Sequence, residues 1–530
     1  MSRSCLVIQE ARFGDLIQSK PLIDRLSMNN YRTTVLVRPG VIEAARVMGI
    51  GDEILSWPSF GDPGSDQSVL ARLAGAREFV RILRARAFDK VIVMNNHGTG
   101  IMLGHLLSAP VAGFTRLFNS DEDPQRGGAL SGWPGYLVAS SRGIRSLNRI
   151  HLSDMWLGFD GSIKSKHPRE SKQGGSSQGP VVFVLGGRSP YRRWEAGAIL
   201  SFIRALRRID GGKVVLSGTA EDQDLGSFLE REAGEGVINL SGKTGIEELS
   251  SLIDSASVVV SPDTAPLHLA AMKGVPTVGI FFASALSFET GAYHDGSLSI
   301  VTSMECYPCA GEGSSCSHRS CRDNPGPEVV AEIVAMVKRG GRGEELSRAL
   351  GDRAEGSELW EGLSSESGFL QRVLTPRILT RERLLARLLR RFYWRYLEQE
   401  ERLPSLSSEL AMEGRAPSSK RLNVGGGALP DPLWMVRLER GVSLYAGLRE
   451  RGIEGPHRLR MVDRLASEFP MIWPILHHLE WVEGSQGNVP ALIKASEGFI
   501  REIREAARLT HLSIDLIMER QTKEGTHVAI

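Results

Sequence analysis

The sequence predicts an α/β protein made of two domains with parallel sheets, followed by a helical region. In residues 1–163, short apolar runs of strand length alternate with segments of helical periodicity, and the same alternation fills 180–340. Between them, 164–179 is polar and rich in glycine and serine, which is typical of a linker. Across 341–530, β-branched runs vanish and leucine, arginine and glutamate dominate, so an all-helical extension is predicted.

The elements of both domains follow one another in the order strand, loop, helix. After the first strand-like run, for example, Leu16, Ile17 and Leu22 repeat at helical spacing. The predicted strands of the first domain are Cys5–Gln9, Thr33–Val37, Ile54–Trp57 and Lys90–Met94. Those of the second are Val181–Leu185, Lys213–Ser217, Gly236–Leu240, Val258–Ser261 and Pro276–Phe281.

Composition and charge exclude several classes of protein. Of the 530 residues, 41% are hydrophobic and 24% charged, as in ordinary soluble proteins. The formal net charge of +2 gives no global field for nucleic acid, so we expect no nucleic-acid partner. No segment approaches the roughly 20 apolar residues that span a bilayer, and the first residues do not form a secretory signal. We therefore expect a cytoplasmic protein that at most lies on a membrane surface.

The loop after the first strand contains Arg12, Gly14 and Asp15, directly before the first helix. Glycine allows close approach of a ligand, and Asp15 falls at the mouth of the crevice where α/β sheets bind ligands. The alternative is that Asp15 only caps the helix, which contributes about 1 kcal/mol. The dinucleotide pattern G-x-G-x-x-G is absent from this loop, which argues against a dehydrogenase.

A second strand-to-helix junction carries Ser261, Asp263, Thr264 and, one turn later, His268. The free N–H groups and the dipole of a helix N-terminus attract anions, so a diphosphate could bind here beside the Thr264 hydroxyl. The alternative is a structural histidine and two capping residues.

The loop that follows the first strand of the second domain is basic, because it contains Arg188, Arg192 and Arg193 next to Gly187. Arginine forks suit phosphate oxygens, although a solvated basic loop is the alternative. Two short matches in this domain fail. Gly242-Lys243-Thr244 resembles the end of a P-loop but lacks the earlier glycine that a P-loop needs. Asp222-Gln223-Asp224 resembles a metal-binding pair of carboxylates but is interpreted as solvated acids.

Four of the five cysteines, Cys306, Cys309, Cys316 and Cys321, lie close together in the sequence. They could bind a structural zinc ion tetrahedrally, or they could be free or redox-paired thiols. A disulfide framework is not expected in a reducing compartment.

A basic helix is predicted over Arg381–Arg402, where arginines flank an aromatic and aliphatic stripe. Such a helix could lie on an anionic membrane surface, or it could pack its stripe on a neighbour and leave the arginines in water.

The order of these motifs over residues 1 to about 340 resembles the heptosyltransferases, glycosyltransferase family nine. Arg12, Gly14 and Asp15 match the family's R-x-G-D loop, and the segment from Leu185 to Trp194 matches its K-x-W-like element, with Arg192 in place of lysine. Its S-x-D-T-[GA]-x-x-H element is matched by Ser261, Asp263, Thr264, Ala265 and His268, and a cysteine-rich tail also recurs.

The resemblance implies the GT-B fold, with two facing Rossmann-like domains, and an inverting hexosyl or heptosyl transfer that needs no metal. It implies ADP-heptose as donor and the lipopolysaccharide inner core as acceptor, in the bacterial cytoplasm or at the surface of the inner membrane. Asp15 would be the catalytic base and Arg192 would stabilise the leaving diphosphate, with Arg12 and Gly14 on the acceptor side. The predicted donor site comprises Gly187, Arg188, Arg193, Ser217, Gly218, Gly242, Thr244, Asp263, Thr264, Ala265 and His268.

Departures from the family keep other functions open. Ala265 adds a methyl group where many relatives have glycine, and 282–285 and 290–292 replace the usual turns near the sugar. One alternative is a non-catalytic nucleotide-sugar or glycan-binding protein whose helical extension contacts a protein or a membrane. Another is a hydrolase or epimerase of nucleotide sugars.

Overall fold

The chain folds into two compact units, and each is interrupted in sequence. One unit comprises residues 1–117 and 151–375, and the other comprises 118–150 and 376–530. The computed structural model describes residues 2–58, 68–117, 132–140, 145–161, 174–187, 189–304, 306–309, 316, 318–350, 356–375, 381–398, 403–412, 439, 442–443, 445–446 and 489–509.

Strands and helices alternate through most of the first unit, as the sequence predicts. The strands are β1 (Arg3–Gln9), β2 (Tyr31–Val37), β3 (Glu53–Ser56), β4 (Lys90–Val93), β5 (Val111–Gly113), β6 (Val181–Val184), β7 (Val214–Ser217), β8 (Val237–Asn239), β9 (Val258–Ser261), β10 (Thr277–Phe281), β11 (Leu298–Thr302), β12 (Ser357–Ser365) and β13 (Gly368–Val373). The helices are α1 (Phe13–Met28), α2 (Ile42–Val47), α3 (Val69–Ala85), α4 (Gly98–Leu106), α5 (Gly132–Ser140), α6 (Leu152–Leu157), α7 (Ala196–Asp210), α8 (Gln223–Ala233), α9 (Ile246–Ser255), α10 (Ala265–Met272), α11 (Ser287–Thr290), α12 (Pro327–Lys338), α13 (Gly343–Leu350), α14 (Arg381–Glu398), α15 (Leu406–Ala411) and α16 (Val489–Leu509).

The first sheet has five strands in the order β3-β2-β1-β4-β5, and all its pairs are parallel. Its central strand β1 is a continuous apolar run that is buried along most of its length, as expected for a parallel strand with helices on both faces. The strand order reverses between β1 and β4, so the loops that leave these two strands diverge and open a crevice.

The second sheet has eight strands in the order β13-β12-β11-β10-β9-β6-β7-β8. From β8 to β11 every pair is parallel. The order reverses between β6 and β9, which places a second crevice at the carboxyl ends of these strands. The α/β class and the two parallel-dominated sheets agree with the prediction.

The second sheet continues past the boundary that the sequence predicts at residue 340. The hairpin of β12 and β13 pairs antiparallel with β11, where Ser299 lies opposite Trp360. Trp360 is buried and packs edge-on against Phe288, with ring centroids 4.8 Å apart. The expectation of helix throughout 341–530 is therefore wrong for this hairpin, which has few β-branched residues and gave no strand signal.

The described part of the second unit is helical, and α14 packs against α16 and α15. Aromatic side chains of α5 and α14 join in one cluster, with Tyr136 and Tyr393 ring centroids 4.8 Å apart. Trp133 also donates a hydrogen bond to Glu398 at 2.6 Å. Within the described residues, no helix is long and apolar enough to cross a membrane.

The arginines of α14 are not arranged as the predicted membrane-binding helix requires. Arg387, Arg390 and Arg391 are buried. Arg391 donates to Glu409 at 2.7 Å and to Glu502 at 2.5 Å. Buried, ion-paired guanidinium groups are not available to lipid headgroups. The membrane interpretation of this helix is therefore wrong, because it took these arginines to be solvent-exposed.

The packing of Trp360 generates a prediction about the hairpin. Trp360→Ala should lower the free energy of unfolding by about 3–5 kcal/mol, because it removes a large buried side chain and leaves a cavity. Urea unfolding followed by circular dichroism measures this. Phe228→Ala is the control, since Phe228 is an exposed aromatic residue and its loss should cost about 1 kcal/mol or less. Equal effects of the two changes would contradict the structural role of the hairpin.

Candidate functional site

The predicted site residues come together where the crevices of the two sheets meet. Asp15 lies on α1, just after β1, and the Asp263–His268 segment lies just after β9. The arginine loop follows β6, the neighbour of β9 in the sheet. All three segments therefore leave their sheets at carboxyl ends of strands beside a topological switch point, where α/β proteins bind ligands.

The N-termini of α1 and α10 approach each other closely at Gly14. A Cβ atom built on Gly14 would lie 3.3 Å from His268 Cδ2 and 3.8 Å from the Ala265 nitrogen. A side chain at position 14 would therefore press on the His268 ring, and glycine avoids this contact. Because each helix N-terminus carries a partial positive charge, their convergence makes this position favourable for an anion.

Asp15 is the third residue of α1, and its carboxylate accepts a hydrogen bond from the Arg12 backbone N–H at 3.3 Å. Burial raises the pKa of Asp15 above its ordinary value of 3.8, and the nearby carboxylate of Asp263 adds to the increase. The Arg12 hydrogen bond and the charges of His268 and Arg12 act in the opposite direction. Asp15 is therefore a stronger proton acceptor than an ordinary aspartate.

His268 is buried on α10 and contacts a residue of α1 as well as a residue of the loop before α10. Its Nε2 lies 3.3 Å from Gln18 Nε2 on α1 and 3.7 Å from Asp263 Oδ1. The Gln18 amide also donates to the Gly14 carbonyl at 3.4 Å, so its nitrogen faces His268 as a donor. His268 Nδ1 is buried and has no hydrogen-bond partner among the described residues.

Gln18 is a site residue that sequence analysis missed. It lies one turn after Gly14, inside a helix, where a polar residue gives no signal of a contact with a histidine 250 positions away. Its carbonyl oxygen is buried without a partner in the described structure. Gln18 and His268 therefore each carry a buried polar atom, Oε1 and Nδ1 respectively, that has no partner among the described residues.

Arg192 is held over Asp263. Its Nη1 lies 3.6 Å from Asp263 Oδ2, and its Nε and Nη2 donate to Ser284 Oγ at 3.1 and 2.8 Å. Ser284 lies in the loop after β10, so this loop orients the arginine. The Arg192 side chain is 30% exposed, so its guanidinium is accessible to an oxyanion.

Arg193 and Asp222 form a second, adjacent group. Asp222 is buried, accepts from Arg193 at 2.9 Å, and also accepts from the backbone N–H and hydroxyl of Thr219 at 2.9 Å. The interpretation of Asp222 as a solvated acid is therefore wrong. A Cβ on Gly186 or Gly218 would lie 2.6 or 2.8 Å from atoms of Asp222, so both glycines make room for this ion pair.

The remaining predicted donor-site residues surround these two groups. A Cβ on Gly187 would lie 3.7 Å from Thr264 Cγ2, and the Thr264 hydroxyl lies 2.7 Å from Ser261 Oγ rather than capping α10. Gly242 has a φ of +70° and passes within contact distance of Ala220. Ser217 ends β7, Thr244 lies in the turn before α9, and Arg12 is exposed. Arg188 lies outside the described residues.

Glu10 is a second residue that sequence analysis missed. It is buried at the end of β1 and accepts from the Thr99 hydroxyl at 2.6 Å and from the Gly100 N–H at 3.0 Å. Its own N–H donates to Asn95 Oδ1 at 2.6 Å. These bonds tie the ends of β1 and β4 to the N-terminus of α4, so Glu10 fixes the crevice wall on the Asp15 side.

The cysteine segment packs against the loop that holds Arg192. The N–H of Cys309 donates to the Ala283 carbonyl at 2.9 Å, and the Tyr307 hydroxyl donates to the Ala285 carbonyl at 2.6 Å. Burial, and then the neighbouring thiols of Cys321, Cys306 and Cys316, raise the pKa of Cys309. The described residues contain no group of three or more histidine, cysteine, aspartate or glutamate side chains that could hold a metal ion.

Comparison with known proteins places these features in context. Residues 153–319 match the family model described as glycosyltransferase family 9 (heptosyltransferase). Lipopolysaccharide heptosyltransferase 3 of Escherichia coli is 24% identical over 286 residues, which are 51% of this chain and 81% of that protein. Its namesake in strain K12 is 29% identical over 283 residues, 51% of this chain and 80% of that protein. The resemblance inferred from the motifs is thereby confirmed.

Solved structures also match. Escherichia coli ADP-heptose lipopolysaccharide heptosyltransferase II has a TM-score of 0.47 and 16% identity, and the match covers 64% of this chain and all of that one. A family 9 glycosyltransferase from Veillonella parvula has a TM-score of 0.48 and 17% identity, over 64% of this chain and 98% of that one.

The raised pKa of Asp15 predicts a pH-dependent effect on stability. The folded protein holds the Asp15 proton more tightly than the unfolded chain, so this contribution is complete below about pH 3.8 and is lost as the pH rises through the folded pKa. At neutral pH, Asp15→Asn should therefore unfold at a higher urea concentration than the parent protein, with a difference that narrows as the pH falls. Asp24→Asn on the same helix is the control, because Asp24 is partly exposed. An Asp15→Asn variant less stable than the parent at neutral pH would contradict the desolvation of Asp15.

Proposed function

We propose that this chain, a glycosyltransferase that carries a family 9 domain at residues 153–319, transfers heptose from ADP-heptose to a saccharide of the lipopolysaccharide core. The observation that supports it best is the position of Asp15, a carboxylate with a raised pKa at the junction of two helix N-termini. The heptosyltransferase relatives support the class of donor and acceptor.

The chemical step is a single displacement with inversion at the anomeric carbon. The acceptor hydroxyl oxygen forms the new bond to this carbon while its proton passes to the Asp15 carboxylate. The bond from the anomeric carbon to the diphosphate oxygen breaks, and its electron pair stays on the diphosphate. A partly buried base with a raised pKa is suited to this transfer, because it takes the proton more readily than a solvated aspartate.

Charge that develops on the departing diphosphate is stabilised by fixed groups of the second sheet. The Arg192 guanidinium and the N-terminus of α10, which begins at Ala265, supply positive charge that is already oriented before reaction. His268, whose Nε2 lies 3.3 Å from Gln18 Nε2, is a further polar group on this helix. We infer that these groups carry the reaction without a bound metal ion.

The donor and acceptor take opposite sides of the crevice. Thr264, Ala265 and the glycines near Asp222 would hold the nucleotide diphosphate, while Arg12 and Gly14 would lie on the acceptor side. Ser284, which replaces a residue of the usual family turn, orients Arg192 beside the sugar. A changed turn at this position would alter the sugar pocket more than the diphosphate site. The enzyme would act at the cytoplasmic side of the inner membrane, where the glycolipid acceptor is presented.

Loss of the base tests the proposal. Asp15→Asn should lower the rate of transfer to lipopolysaccharide-core acceptor by about 10²–10⁴-fold, since an amide cannot accept the proton. Affinity for ADP, measured by calorimetry, should stay close to that of the parent protein. Asp24→Asn on the same helix should retain full turnover. Full turnover by the Asp15→Asn variant would remove the base assignment, and absence of transfer by the parent would favour a binding protein.

Gln18 offers a test of the donor side. Gln18→Met keeps the side-chain volume but removes the amide that orients His268, so we expect affinity for ADP to fall about tenfold. Titrations with ADP, UDP and GDP, with and without magnesium, should show a preference for ADP that does not depend on the metal. Lys20→Met is the matched control on α1, where Lys20 pairs with Asp24. Unchanged ADP affinity in Gln18→Met would show that His268 does not rely on Gln18.

A further inference from the structure

We propose that the outer surface of α3 and α4 docks on an anionic lipid bilayer. This surface, called the α3/α4 face below, is formed by Leu70, Leu73, Arg77, Arg81 and Arg84 of α3 and by Met102 and Leu106 of α4. Neither the family match, which begins at residue 153, nor the transfer chemistry assigns it a role.

Helix α3 is unusually exposed for a helix that covers a parallel sheet. Leu83 is the buried residue of α3, whereas Leu70 and Leu73 are 79% and 61% exposed. Side chains three or four positions apart share one side of a helix, so Leu70, Leu73, Arg77, Arg81 and Arg84 form a single stripe. Large apolar side chains concentrated on one exposed face mark an interaction surface rather than random exposure.

The positive charge of α3 indicates an anionic partner. The helix contains four arginines and a single acidic residue, Glu78, which pairs with Arg81 at 2.6 Å. A helix with leucines and arginines on its outer side fits the boundary of an anionic bilayer, where apolar side chains enter the acyl region and arginines contact phosphates.

Helix α4 extends the same surface. The Arg84 guanidinium donates a hydrogen bond to the Leu106 carbonyl oxygen, which joins the C-terminal ends of the two helices. Met102 is 60% exposed and Leu106 lies one turn after it, on the same side of α4. The apolar surface is therefore shared by two neighbouring helices.

The leucines of the α3/α4 face lie toward the same edge of the first sheet as Asp15. Because the first sheet is parallel, α1 and α3 both begin at the carboxyl edge of their strands. Asp15 lies in the first turn of α1, and Leu70 and Leu73 lie at the beginning of α3. A bilayer on the α3/α4 face would hold a lipid-anchored acceptor near the edge that carries Asp15. This role in presenting the acceptor rests on the proposed function; the docking itself does not.

Sedimentation of the full chain with lipid vesicles tests the proposal. The parent protein should bind vesicles of phosphatidylethanolamine and phosphatidylglycerol, bind weakly to phosphatidylcholine alone, and dissociate as salt is added. Leu70→Ser combined with Leu73→Ser should abolish binding. Arg77→Gln and Arg81→Gln should each lower it about fivefold. These side chains are exposed, so the variants should fold, which circular dichroism checks.

Matched controls lie on other faces of the same unit. Met28→Ser removes an apolar side chain whose exposure is similar to that of Leu70, and Arg231→Gln removes a similarly exposed arginine. Both should bind vesicles like the parent. Binding that survives the leucine changes, or that falls equally in the controls, would overturn the proposal. So would a shift in oligomeric state in the leucine variants with vesicle binding unchanged, because the surface would then serve a second copy of the chain.

The two proposals can fail separately. Asp15→Asn should still bind vesicles, and the leucine variants should still transfer sugar to a water-soluble acceptor fragment. Loss of vesicle binding in Asp15→Asn would overturn the docking surface, because that substitution leaves the α3/α4 face unaltered.

Discussion

The site depends on the close approach of α1 and α10 at Gly14. This contact places the first turn of α1 against the first turn of α10. It also brings Asp15 close to Asp263 and His268. The Asp263 carboxylate contributes to the raised pKa of Asp15, while two helix N-termini and Arg192 supply positive charge nearby. Asp15 is thus suited to accept a proton, while Asp263 lies 3.6 Å from Arg192. A methyl group at position 14 would lie 3.3 Å from His268 Cδ2, so the His268 ring would have to shift slightly to accept it.

Much of the remaining structure serves to hold these groups at fixed distances. Glu10 ties the ends of β1 and β4 to α4, and Asp222 fixes Arg193 and the loops beside it. Ser284 aims Arg192, and the cysteine segment in turn packs on the loop of Ser284. The positive charges of the site are thus oriented by hydrogen bonds that exist before any ligand binds, which is the condition under which electrostatic stabilisation of a transition state is strongest.

The elements that sequence alone predicted are those whose signal is local. Asp15, Asp263 and His268 lie at strand-to-helix junctions, and a junction is recognisable from a few neighbouring residues. Gln18 was missed because its partner, His268, is 250 positions away. The burial of Asp222 was missed because its salt bridge to Arg193 joins two separate loops. The β12–β13 hairpin was missed because its strands are stabilised by the edge of β11 rather than by their own propensity. Buried ion pairs in α14 likewise depend on glutamates that lie outside that helix.

The division of the second unit into two stretches of chain has a consequence for synthesis on the ribosome. Residues 118–150 leave the ribosome more than 200 residues before 376–530, with which they form one unit. At about 5–20 residues per second, that delay is on the order of 10–40 s. During this interval the aromatic residues of α14 that contact Trp133 and Tyr136 have not yet been synthesised. Residues 118–150 therefore complete their packing only after 376–530 have been synthesised, and slower translation of that last part prolongs the interval.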